Sequence, residues 1–181
     1  MVLLEKLSVK FRRKCESIAT EQRHLLNLRA FEPLPANLLA ARLNAKISTL
    51  NQVPNLEPKH IETLLADNQF SAAIIRVNPL WIVYNSKHTL ARRESNLMHE
   101  FAHVLLEHQT VGFNSQTGQP LRIEENEDEA NYLGGCLQIP RRGLLWAVQG
   151  KMTLIQIANY FGASKEMVQF RSNVTGVKYR Y

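Results

Sequence analysis

Apolar side chains recur along this chain in two rhythms, one of three and four residues and one of two, and the switches between them outline the expected elements. Between residues 3 and 29, Leu3, Leu7, Phe11, Ile18, Leu25 and Leu28 fall at helical intervals in a polar background, which predicts one long or broken N-terminal helix. Glu32-Pro33-Leu34-Pro35 interrupts it, and a short second helix follows with Leu38, Leu39 and Leu43 on its apolar side. Lys46 to Leu50 reads as a strand and Asn51 to Pro58 as a loop. Pro58 suits the first turn of a third helix carrying Ile61, Leu64 and Leu65, because a missing amide hydrogen costs nothing there. The runs Ala72 to Val77 and Leu80 to Tyr84, rich in β-branched residues and separated by Asn78-Pro79, predict a hairpin or two strands of a small sheet.

Helical spacing returns with Leu90, Leu97, Phe101, Val104 and Leu105, then gives way to a loop, Gln109 to Arg122, marked by two glycines, a proline and several amides. Glu124 to Leu137 is helical again and stops before Pro140, and a short helix around Leu144, Leu145 and Trp146 lies between Gly143 and Gly150. Thr153 and Gln156 have the spacing of a capping box. Gly162 fits a turn and Ser164 a second cap, so the C-terminal stretch reads as a helix-turn-helix-like pair. The expected fold class is α+β, mostly helical with a small sheet. Its segments are an N-terminal helical part (1–33), a central domain (34–150) and the helix pair (151–181) packed on the same core.

Composition narrows the class without choosing the chemistry. A chain of 181 residues can bury a hydrophobic core unaided. Its two cysteines, Cys15 and Cys136, are too far apart in sequence for a C-x-x-C motif, which fits a reducing compartment, and Cys136 reads as a core residue. No stretch is long and apolar enough to span a bilayer, and the N-terminus lacks a signal-peptide pattern, so the expected location is cytoplasmic. The net charge of +6 is spread out, apart from Lys10, Arg12, Arg13 and Lys14 and the tail residues Lys178 and Arg180. It permits nucleic-acid contact without requiring it. In the helix pair, Lys165, Gln169 and Arg171 are the side chains available to read DNA.

The chemistry lies in Asn96 to His108, NLMHEFAHVLLEH, where His99, Glu100 and His103 form H-E-x-x-H. Residues four apart share a helix face, so both imidazoles can meet one metal ion, and Glu100, one step round, suits a general base. A catalytic zinc site needs a third protein ligand. The acidic cluster Glu124, Glu125, Glu127, Asp128 and Glu129 can supply it. Helical geometry favours Glu127, on a face with Asn131, Gly134 and Gly135, with Glu129 as runner-up. The glycines would allow close approach to the motif helix near Ala102, and Asn131 would support a ligating histidine. Two histidines and a carboxylate also bind non-haem iron, but their placement on one helix favours zinc. Residues able by type to stabilise an oxyanion are His88, His108, Tyr132 and Tyr160.

These residues resemble the ImmA/IrrE metallopeptidases. The likeness is carried by LMHEFAHVLLEH at 97–108, by E-x-x-x-N at Glu127 to Asn131, by LGGCLQIP up to Pro140 and by LIQIANYFGASKEMVQFR. The resemblance implies a zincin-like site with His99, His103 and Glu127 as zinc ligands and Glu100 as general base. It also implies a protein substrate such as a helix-turn-helix transcriptional repressor. The chain departs from the family's usual pattern at Leu133-Gly134 and Gln138-Ile139-Pro140, changes that bear on helix packing. The competing expectation is a DNA-binding or protein-binding regulator whose metal site is structural or sensory.

Overall fold

A computed structural model describes residues 7–66, 70–109 and 123–179. Leu3, Arg180 and all but Gln109 of the expected loop from Gln109 to Arg122 lie outside them. The described elements are α1 (Val9–Leu25), α2 (Ala36–Arg42), β1 (Lys46–Thr49), a 3-10 turn (Leu50–Gln52), α3 (Pro58–Ala66), β2 (Ala72–Val77), β3 (Leu80–Tyr84), α4 (Leu90–Leu105), α5 (Glu124–Gln138), α6 (Arg141–Gln149), α7 (Leu154–Phe161) and α8 (Lys165–Thr175). The fold is therefore α+β, with eight helices and one three-stranded sheet among the described residues.

The sheet has the order β1-β3-β2, with β1 parallel and β2 antiparallel to β3. β3 lies between two partners and is apolar on both faces. Trp81 and Val83 pack with Leu50 and Ala73 and with Ile61, Leu64 and Leu65 of α3. Leu80 and Ile82 join the opposite core with Leu97, Met98 and Phe101 of α4. Such two-sided burial explains an uninterrupted apolar run where a surface strand would alternate. The strand leading into the metal motif is thus central, and the sheet edges belong to β1 and β2.

The main core joins α1, α2, α4 and α5, and a second one joins α6, α7 and α8. Two buried arginines lie where these elements meet. From α1, Arg23 donates to the carbonyls of Leu137 (2.8 Å) and Gln138 (3.3 Å), capping the C-terminal end of α5. Burial pulls its guanidinium down to about 10, which leaves it cationic at neutral pH. From α8, Arg171 donates to the Ile139 carbonyl at 2.7 Å and pairs with Glu16 of α1.

These contacts decide several expectations, some for and some against. Within the described part of the expected N-terminal helical stretch, α1 opens at Val9, where the Ser8 side chain accepts from the Phe11 amide, and closes at Leu25. Leu90 is 73% exposed because it occupies the first turn of α4, before that helix reaches the core. Arg171 is fully buried and so cannot read DNA. In the helix pair itself, Thr153 and Gln156 form the capping box, Gly162 turns through the left-handed region at φ 59°, and Ser164 caps α8. Cys15 and Cys136 are buried free thiols. Burial pushes Cys15 up to about 12 and raises Cys136 as well, so neither is poised as a nucleophile.

Candidate metal centre

α4 starts at a defined point, since the Thr89 hydroxyl accepts from the Arg92 amide, and it buries Leu97, Met98, Phe101 and Ala102. Fixing that face fixes the flank beside it, where His99 and His103 lie half-buried. Their Nε2 atoms are 3.0 Å apart. Across from them, the two Glu127 oxygens stand 3.3 Å from His99 Nε2 and 3.3 Å from His103 Nε2. Among the described residues this is the group of His, Cys, Asp or Glu side chains close enough to share a metal ion.

The spacing tests whether an ion fits. A tetrahedral ion with bonds of roughly 2.0–2.1 Å to nitrogen and oxygen holds its donors about 3.3 Å apart. The two nitrogens are 3.0 Å apart and each has a Glu127 oxygen at 3.3 Å, a different oxygen in each case, so the three side chains lie near that spacing. Two imidazole nitrogens and a carboxylate in such proximity form a donor set that one cation could bridge. Glu100, next to His99 in the chain, is only 7% exposed and falls outside the donor triangle.

Glu127 comes into reach because α5 lies directly on the α4 backbone. A Cβ built on Gly134 would stand 3.2 Å from both Cα and N of His99 and 3.3 Å from the Met98 carbonyl carbon. Glu127 is two turns earlier on the same face of α5. The close approach is therefore at Met98 and His99, whereas Gly135 faces Phe170 and Arg171 of α8. Asn131 is exposed and makes no hydrogen bond to either histidine among the described residues, so it does not orient a ligand.

The neighbour of His103 is instead a residue considered only by type. His103 Nδ1 lies 3.0 Å from Nδ1 of His108, and His108 Nε2 lies 3.1 Å from Glu129 Oε2. Glu129 is thus engaged behind the donor triangle. A histidine five positions after the second motif histidine, at a helix end, was the available sequence signal. His88 instead contacts the Asn96 side chain, Tyr132 neighbours Arg171, and Tyr160 packs on Trp146 and Phe161.

No helix among the described residues is long and apolar enough to cross a membrane. No curated protein and no solved structure gives a match to the chain. The sequence model of the IrrE N-terminal-like domain does match, over residues 53–173, a span that takes in the sheet hairpin, both donor helices and most of α8. With two thirds of its length matched and a His, His, Glu donor triangle inside the match, the chain belongs to the IrrE N-terminal-like family of ImmA/IrrE-type metallopeptidases.

Proposed function

We propose that the protein is a zinc-dependent endopeptidase in which His99, His103 and Glu127 hold the metal and Glu100 is the general base. The observation that carries this reading is the His99, His103 and Glu127 donor group, with contacts of 3.0–3.3 Å, beside a buried carboxylate that does not belong to it. When bound, zinc supplies Lewis acidity, polarising a carbonyl and making water a usable nucleophile at neutral pH. Glu100 takes the proton of the attacking water and delivers it to the leaving amine as the peptide C–N bond breaks. β2, a sheet-edge strand that packs against α4, offers main-chain groups along which an extended peptide can align. The placement of both imidazoles on one helix favours zinc over iron.

The test is Glu100→Gln in the full chain. Turnover should fall by on the order of 10²–10⁴ while one zinc per chain remains by elemental analysis. Normal turnover in that variant would remove Glu100 from the mechanism. The same variant is a substrate trap for the protein class proposed, a cytosolic helix-turn-helix repressor. Capture lacking such regulators would count against that substrate.

A second reading is a regulator that binds DNA through α7 and α8 as a helix-turn-helix-like unit and keeps a structural or sensory metal. It is favoured by the capped helix pair with exposed Lys165 and Gln169, and weakened by the burial of Arg171. Sequence-selective binding whose affinity falls steeply with salt would support it.

A further inference from the structure

The end of α4 is built so that the helix stop itself places a side chain behind a ligand. Glu107 adopts the left-handed conformation, φ 57°, without being glycine. The amide of Glu107 donates to the Val104 carbonyl at 3.1 Å and that of His108 to the His103 carbonyl at 3.0 Å. This pair of bonds is the Schellman arrangement, which brings the second residue past the helix end back over the last turn. Here those two residues are His108 and His103. His108 is sealed in with its side chain 8% exposed, and beyond it Glu129 reaches the surface at 36%.

Only one distribution of protons satisfies this row together with a metal. If Nε2 of His103 gives its lone pair to an ion, the ring's single proton is on Nδ1, and that N–H must donate to Nδ1 of His108 at 3.0 Å. Nδ1 of His108 is then the acceptor. The proton of His108 is consequently on Nε2, where it donates to the Glu129 carboxylate at 3.1 Å. Every nitrogen has a defined role, and the row ends on an anion that favours it.

We infer that His108 and Glu129 are positioning residues that lock His103 in its Nδ1–H tautomer and ring orientation, so that metal affinity depends on a pair outside the ligand set. The inference rests on the reading of His99, His103 and Glu127 as the metal site. Outer hydrogen-bond partners of metal-bound histidines typically contribute 10–100-fold in affinity.

Zinc affinity of the full chain, measured by competition with a chromophoric chelator, tests it across three variants. His108→Leu should weaken zinc binding by about 10–100-fold. His108→Asn keeps an acceptor near the position of Nδ1 and should recover most of that loss, which a packing role alone would not do. Glu129→Gln should give a smaller loss of about 3–10-fold, because the polar contact survives without its charge. Nitrogen-15 histidine spectra of the zinc-loaded parent should report His108 protonated at Nε2. Zinc binding by His108→Leu within twofold of the parent, or a proton on Nδ1 of His108, overturns the inference while leaving the metal site intact. A parent that binds no zinc overturns both. Equal losses in the Leu and Asn variants reduce His108 to a packing residue and overturn the inference as well. Circular dichroism of each metal-free variant separates loss of fold from loss of ligand orientation.

Discussion

Arg171 shows how the surroundings reassign a residue. Its exposed-looking sequence context suggests a DNA-facing side chain, yet it is wholly buried and its charge is met by Glu16, which is itself partly exposed and also accepts from the Arg141 amide at 2.9 Å. Removing either partner therefore has unequal effects. Glu16→Leu strands a fully buried cation and should cost about 3–5 kcal/mol. Arg171→Met leaves Glu16 able to turn toward water and hold the Arg141 amide, so its loss should lie nearer 2 kcal/mol, mainly from the freed Ile139 carbonyl. Urea unfolding of the two variants checks the order. A larger loss for Arg171→Met would show that the carbonyl contact outweighs the ion pair.

Among the elements, legibility followed the range of the interactions that define them. The alignment of His99 with His103, the Thr153–Gln156 capping box and the hairpin strands at 72–77 and 80–84 rest on contacts within a few residues, and the pattern of side chains discloses them directly. The parallel pairing of β1 with β3 joins Lys46 to Trp81 across α3 and has no local signature. His108 was obscure because α4 ends on a left-handed glutamate where a glycine would have announced the stop. Glu127 was favoured over Glu129 by helical faces, and the glycine invoked for close approach proves to be Gly134 against the His99 backbone. Gly134→Val tests that contact. Helix propensity favours the substitution by a few tenths of a kcal/mol, but the neighbour is main chain and cannot swing aside, so overpacking of about 1–3 kcal/mol should prevail. Thermal melts should record the destabilisation, and zinc affinity should fall with it as Glu127 moves away from the two imidazoles.

At the level of the whole molecule, α1 is bound into the core that carries the donors: Cys15 and Ala19 pack with Leu133, Cys136 and Leu137 of α5. A chain shortened to residues 53–181 would lose those contacts, the Arg23 cap on α5 and the Glu16 partner of Arg171 together. It should lack a cooperative unfolding transition and bind zinc far more weakly than the full chain, as calorimetry and chelator competition would record; a sharp transition and unchanged affinity would show that the first 52 residues are dispensable. Arg23 thus draws a distinction between heredity and mechanics. The stretch recognisable by kinship begins at residue 53, thirty positions after the arginine that secures the end of the helix carrying Glu127. A boundary drawn by ancestry would cut the molecule through its own foundations, and a chain trimmed to the kindred portion would report on a damaged scaffold instead of on the peptidase.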